Sequence, residues 1–335
     1  MPRAGKGQAM NDTPFLHANR GQGRPQILLI GNGLERGKAG QPEWSALLDV
    51  LRAPGRDPIT DEEKEKIPFP LLYQLVSTPL PVPSILDTEG IRAEEQRLAE
   101  GIKCLIHSSN ALLDRLPTIG TDHVFTTNYP YSLEAAFFPK RDFQNPRSRS
   151  AVRFSLVVPD KDGKPHREQC YRLHTGYEAK NSDRSRVGLW HIHGETGVPN
   201  GIIVGHDRYG RLLSRMERLC GKEISRSKDA EPRTFRSWPE LFLFGDVYVL
   251  GFGFALCEYD LWWLLRRKQR ERYADGNVYF FYNGQKPGAS VRDRLLEAHG
   301  VQINPFGVKY QPDYSTFYNL AMDAITEHIQ ENKAE

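Results

Sequence analysis

The stretch that most constrains this chain is Gln26–Gly37, which reads QILLIGNGLERG. Four apolar residues, Ile27 to Ile30, run directly into Gly31-Asn32-Gly33. A short unbroken apolar run bounded by turn residues suits a strand buried on both faces of a parallel sheet. The glycines allow a sharp turn and are expected to leave peptide N–H groups bare for an anion. Gln41-Pro42-Glu43-Trp44 then opens an amphipathic run through Leu47, Leu48 and Leu51, with Pro42 in a first helical turn. Strand, glycine turn and helix is the arrangement by which α/β folds hold a dinucleotide pyrophosphate. The spacing Gly31, Gly33, Gly37 puts Arg36 at the third glycine position of G-x-G-x-x-G, so the fingerprint of hydride-transfer enzymes fails.

The rest of the chain alternates in the same manner. Further buried strands are predicted at His123–Asn128, Val187–Gly194, Asp246–Leu250, Val278–Tyr282 and Val301–Ile303, with a shorter one at Gly201–Gly205. Helices are predicted at Ser132–Phe138, His206–Leu219, Glu258–Arg272, Gly288–His299 and Tyr314–Glu331, and one long amphipathic helix at Glu89–Leu116. Runs at Val152–Val158 and Gln169–His174 flank a Lys161–Lys164 turn that reads as a hairpin. Arg218–Arg236 reads as a charged loop. These repeats predict a doubly wound, mainly parallel Rossmann-like sheet over residues 26–335. A helical insertion falls at about 53–118, a basic β-rich insertion at about 140–186, and residues 1–25 form a disordered basic tail.

Totals narrow the function classes. No apolar stretch approaches the about 20 residues of a membrane span and no signal-peptide apolar region appears, so the cytoplasm is expected. The net charge of +3 is too small to argue for a nucleic-acid partner. Its distribution is uneven: residues 140–190 carry 12 basic against 6 acidic side chains, and residues 61–100 carry 9 acidic against 4 basic. Solvated surfaces explain this; complementary faces between subunits are the sharper reading. Cys104, Cys170, Cys220 and Cys257 form no C-x-x-C pair, so no metal site is expected and the thiols read as reduced residues in or near the core.

In a sheet of this kind ligands bind beyond the carboxyl ends of the strands. Five constellations fall there: Gly31-Asn32-Gly33, Thr127-Asn128-Tyr129, His191-Ile192-His193-Gly194, Gly251-Phe252-Gly253 with Asp260, and Asn283. Each has an ordinary structural explanation. Asn128 can cap a helix, Asp260 suits a helix's first turn, and the glycines can serve turns alone. Together they resemble, in order and spacing, the sirtuin-like proteins, and most closely the bacterial sirtuin-like NAD hydrolases of anti-phage defence.

The resemblance covers roughly residues 26–285 as spaced motifs and implies NAD as substrate. It implies that Asn128 holds the attacking water or the nicotinamide ribose and that His193 is the base, with His191 as the alternative. It implies that Gly31, Asn32, Gly33 and Leu34 bind the pyrophosphate, with Glu35 and Thr127 beside them. Gly251 and Gly253 would line the adenosine side, Asn283 would reach the adenine ribose, and Asp260 matches the aspartate after the glycine loop. Pro130 stands where the family commonly has aspartate, and Glu35 where many members have serine. The four-cysteine zinc site of the deacylases is absent from the sequence. An uncontrolled NAD hydrolase would harm its host, so a homo-oligomer or a partner protein encoded nearby, a sensor or an ATPase, is implied as the control. An NAD or ADP-ribose sensor without turnover, and ADP-ribosyl transfer, are the competing readings.

Overall fold

The computed structural model describes residues 24–35, 44–78, 87–104, 110–156, 173–223, 235–271, 276–284, 290–308 and 314–334. Their strands are β1 (Gln26–Ile30), β2 (His123–Thr126), β3 (Arg153–Ser155), β4 (Thr175–Lys180), β5 (Arg186–His191), β6 (Asp246–Leu250), β7 (Val278–Tyr282) and β8 (Val301–Pro305). They form one eight-stranded sheet in the order β3-β4-β5-β2-β1-β6-β7-β8. The six strands from β5 to β8 are parallel, and β3 and β4 extend one edge antiparallel. The fold is therefore a mixed α/β, Rossmann-like arrangement.

The helices are α1 (Asn32–Glu35), α2 (Trp44–Leu51), α3 (Asp61–Lys66), α4 (Phe69–Ser77), α5 (Thr88–Cys104), α6 (Ser132–Phe137), α7 (Pro146–Ser150), α8 (His206–Glu223), α9 (Trp238–Phe244), α10 (Tyr259–Arg270), α11 (Val291–Ala298) and α12 (Ser315–Ala334). Alternation along the strands sends side chains to two cores. Ile27, Leu29, Phe125, Trp190, Val247 and Val249 meet α8, α9 and α10 on one face. Leu28, Ile30, Val124, Leu189, Tyr248 and Leu250 meet α12 and the 3-10 turn Leu113–Thr118 on the other. A third cluster joins α2, α4 and α5 through Leu47, Leu72 and Ile102, and seats them on Tyr129, Ile202 and Val204. Among the described residues no helix is long and apolar enough to cross a membrane.

Several expectations need correction. The single helix over Glu89–Leu116 is α5 followed by a separate 3-10 turn. Asn110 opens that turn, accepting the Leu112 N–H at 2.9 Å and donating its amide to the Leu34 and Glu35 carbonyls at 2.8 and 3.1 Å. Gly201–Gly205 is no strand: its apolar residues are buried against the helices, and Ile203 N–H donates to the His193 carbonyl at 2.8 Å. β3 pairs with β4 in the register Ser155↔Thr175, and the Leu156 N–H donates to the carbonyl of His174, the last residue of the expected second run, at 2.7 Å; residues 169–172 of that run lie outside the described residues. Arg218–Glu223 belongs to α8 instead of a loop. The tail up to residue 23, the Pro42 helix start, the Lys161–Lys164 turn and residues 224–234 lie outside the described residues.

β1 is the point at which the chain's winding reverses, since β2 lies on one side of it and β6 on the other. Ile30 pairs with both Thr126 and Leu250, Thr126 pairs with His191, and Leu250 with Phe281. Five strands therefore end at one level, which is why their loops converge. At the crevice between β1 and β6 the Gly33 N–H donates to the Gly251 carbonyl at 2.8 Å. Gly251 has φ +67°, and a Cβ there would lie 2.5 Å from the Leu34 nitrogen. A Cβ on Gly33 would lie 2.6 Å from the Gly251 carbonyl oxygen. Replacing Gly251→Ala should therefore cost about 2–4 kcal/mol of stability, whereas Gly253→Ala, whose Cβ meets nothing within 4 Å, should stay within about 0.5 kcal/mol; urea unfolding midpoints of the two variants decide.

Candidate functional site

A cleft of about 560 Å³ opens over the ends of the central strands. Asn32, Gly33, Thr127, His193, Gly251, Gly253 and Asn283 of the expected set line it. Gly31, Leu34, Glu35, Asn128 and Asp260 are not in its wall. Leu34 is fully buried in the core beside α12. The expectation of bare glycine N–H groups fails at Gly33, because its N–H is spent on the Gly251 carbonyl that holds the two turns together.

The two histidines do not share a face, contrary to the two-residue spacing. β5 ends at His191, and the chain turns before His193. His191 stays on the α6 side: its ring meets Tyr131 at 5.7 Å, Nε2 faces Glu134 Oε1 at 2.9 Å, and Nδ1 faces the Asn128 carbonyl at 2.7 Å. Both ring nitrogens are thus held by acceptors, which is the pattern of an imidazolium. Burial alone would depress it, but Glu134 prevails and holds the ring up at about 9. A charge so enclosed and paired is a structural element.

His193 goes to the opposite side, toward α8 and α10. Its ring meets Tyr209 at 5.6 Å, Nε2 faces Asp260 Oδ2 at 2.9 Å, and Nδ1 lies 3.7 Å from Glu258 Oε2. Burial works against its charge, and Asp260 and then Glu258 outweigh that, holding the imidazole above the ordinary histidine value. Asp260, in the first turn of α10, is buried completely, and its Oδ1 has no hydrogen-bond partner among the described residues. Unlike His191, His193 has open space beside it in the cleft.

Asn128 follows β2 and is almost fully buried. Its amide nitrogen donates to Glu35 Oε1 at 2.8 Å, while its Oδ1 has no partner among the described residues. The Ser132 hydroxyl reaches Glu35 Oε2 at 3.5 Å. Burial pushes the Glu35 carboxyl up to about 7, against the Asn128 hydrogen bond and the charge of His191. Glu35 therefore holds the Asn128 side chain rather than facing the cleft.

The far end of the cleft is aromatic. Phe280 and Tyr282 of β7 stack at 5.6 Å, and the Arg292 guanidinium lies over their rings at 5.4 and 6.0 Å. Asn283 beside them accepts the Val308 N–H at 3.1 Å through Oδ1. Phe69 and Pro70 bring the helical module into the wall, and Phe317 and Tyr318 bring in α12. Glu258, Tyr209 and Arg292 escape sequence reading, for none sits at a strand end. Only the spacing of Glu258, two residues before Asp260, hints at its place. Cys220 and Cys257 are buried free thiols, and burial pushes both up to about 12. The chain matches no family model, and no curated protein is significantly similar to it.

The folded Glu35 carboxyl keeps until about pH 7 a proton that the unfolded chain releases near 4.5. Its contribution to stability is complete below 4.5 and is lost as the pH rises toward 7. Glu35→Gln, which still accepts from Asn128, should therefore raise the unfolding midpoint above wild type at about pH 8, and the gap should close near pH 5. His191 acts in the same direction higher up, its contribution complete below 6.5 and lost through about 9. NMR titration should find the His191 ring changing charge near 9, and more than one pH unit lower in Glu134→Gln.

Proposed function

We propose that this chain is a sirtuin-like NAD glycohydrolase that cleaves the nicotinamide–ribose bond. The observation that carries the reading is an imidazole, His193, buttressed by Asp260 at 2.9 Å in the wall of a cleft at the sheet's switch point. A ligand-sized space of about 300–1,000 Å³ at such a point is where α/β sheets bind nucleotides. The two glycine turns, the strand-end Thr127-Asn128 and the aromatic β7 end add to the support, as does the motif order of the sequence.

The chemistry asks little of the protein. In oxidised NAD the ring nitrogen is already cationic, so the C–N bond breaks to release neutral nicotinamide with no general acid. Positive charge develops on the ribose, water adds its oxygen to C1′, and the water's proton must go to a base. His193 in its neutral form takes that proton, a contribution of about 10²–10⁴-fold. The Asn128 Oδ1, unpartnered among the described residues, lies behind the cleft wall and would accept from a ribose hydroxyl or the water once that side chain turns inward, and orientation supplies much of the remaining acceleration. The products are nicotinamide and ADP-ribose. Phe69 and Pro70 make the helical module the natural lid against solvent. A cytoplasmic effector in anti-phage defence, held off by oligomerisation or by a sensor or ATPase partner, is the setting this reading implies.

One observation favours a second reading. The Asn128 amide nitrogen is committed to Glu35 and its side chain is not in the cleft wall, which suits a module that senses NAD or ADP-ribose without turnover. Incubating the full chain with NAD separates the two. The hydrolase reading expects free nicotinamide, lost at least about 100-fold in His193→Ala and in Asn128→Ala while both variants remain folded. Stabilisation of about 2.7 kcal/mol at 100-fold excess over Kd, without any nicotinamide released, would establish the sensor instead.

A further inference from the structure

Three groups meet at the His193 end of the cleft, and among the described residues no lysine or arginine forms an ion pair with either carboxyl group. His193, Glu258 and Asp260 each offer one donor atom, and the three atoms lie within 4.8 Å of one another. Asp260 is fully buried, His193 nearly so, and Glu258 reaches the cleft surface. Among the described residues the imidazole is the ion-pair partner of both carboxyl groups, at 2.9 Å from Asp260 and 3.7 Å from Glu258. The Tyr209 hydroxyl donates to Glu258 Oε2 at 2.8 Å and orients that carboxylate.

Asp260 supplies the second, independent observation. Its Oδ2 faces His193, yet its Oδ1 is buried with no donor among the described residues. An unsatisfied buried carboxylate oxygen is costly, and native structures place a ligand, an ion or an ordered water on such atoms. The other oxygen of the same carboxylate lies 2.9 Å from His193 Nε2, so a cation held by the cluster would bind the group whose Oδ1 has no partner among the described residues.

We propose that His193, Glu258 and Asp260 form a zinc-type cation site, and that occupation by the ion switches off chemistry at His193. One imidazole with two carboxylates is a borderline donor set, the kind that takes Zn²⁺ in preference to purely oxygen-seeking ions. Zn²⁺ sits about 2.0–2.2 Å from such donors, which draws them to about 3.3 Å apart. That requires adjustments of roughly an ångström from the present spread. Glu258 at the cleft surface gives the ion its way in, and the open side leaves a fourth position for water. A bound ion takes the nitrogen lone pair that would otherwise accept a proton. The ion and the catalytic proton are then alternative occupants of one imidazole, which gives the cleft a resting state without a partner protein. The cation site stands on the geometry alone; its effect on turnover rests on the hydrolase reading.

Titrating Zn²⁺ into the metal-stripped full chain by calorimetry tests the site directly. We expect one ion per chain at micromolar or tighter Kd, weakened at least 10-fold in Glu258→Gln and in Asp260→Asn. Glu258→Gln keeps an acceptor for Tyr209 and should remain folded even if Asp260→Asn does not, so the test survives loss of the buried variant. No stoichiometric uptake up to 100 µM, or uptake unchanged in Glu258→Gln, would overturn the proposal, since the metal would then be held elsewhere or not at all. Nicotinamide release measured alongside should fall with zinc occupancy and return on adding chelator; full turnover at saturating zinc would sink the regulatory half. Zinc uptake with no nicotinamide from the metal-free chain would leave the site standing and remove the hydrolase.

Discussion

The arrangement of this protein depends on one contact, the Gly33 N–H to the Gly251 carbonyl at 2.8 Å. Adjacent parallel strands at a switch point send their loops in opposite directions, which opens a crevice. Here the two loops still touch at its base, and a side chain on either glycine would prevent it. A series of further contacts starts from that point. Leu34 is seated in the core beneath α12, and Asn110 fastens the Leu34 and Glu35 carbonyls. Glu35 in turn holds the Asn128 amide, and the Asn128 carbonyl holds His191 against Glu134. Residues separated by more than a hundred positions are thus located relative to two glycines.

Two buried histidines, two residues apart, illustrate how environment divides structure from chemistry. Each has a carboxylate at 2.9 Å. Both are raised in spite of burial, since a charge taken out of water survives only with a partner. His191 is closed off on both nitrogens by the protein, so its proton has nowhere to go. His193 has a second carboxylate at a longer 3.7 Å and a cleft beside it. Access, rather than the strength of the pairing, is what separates the two: one imidazole is enclosed by the protein and the other borders the cleft.

Much of this was legible in the chain because parallel central strands are recognisable as short apolar runs. Ile27–Ile30, Asp246–Leu250 and Val278–Tyr282 all read correctly, since burial on both faces removes alternation. α9 was not legible for the same reason. Every residue of WPELFLF is buried, so the helix has no polar stripe to give it a period. Its identity comes from tertiary contacts: the Ser237 side chain caps its start, and Lys268 donates to the Phe242, Leu243 and Gly245 carbonyls at its end. Strand-end polar residues pointed to the cleft. Glu258 and Arg292 could not be found so, because they arrive from helices whose docking no local pattern encodes. The direction of the His193 ring was equally hidden, since it depends on where β5 stops rather than on spacing.

The cleft is polarised along the sheet, and that bears on what it can hold. Imidazole and carboxylates lie at the β5 end, the glycine turns in the middle, and stacked Phe280 and Tyr282 beneath the Arg292 guanidinium at the β7 end. From β5 to β7 there are four inter-strand gaps, or about 19 Å at about 4.8 Å each. A single nucleotide is too short to engage both ends. A ligand that does so must carry a flat ring system at one terminus and a hydrogen-bonding sugar at the other, with a flexible, polar middle able to cross the glycine turns. The Gly33–Gly251 contact lies between the two ends, where both residues line the cleft. The same two glycines that join the loops of β1 and β6 therefore also form part of the cleft wall between its polar and its aromatic end.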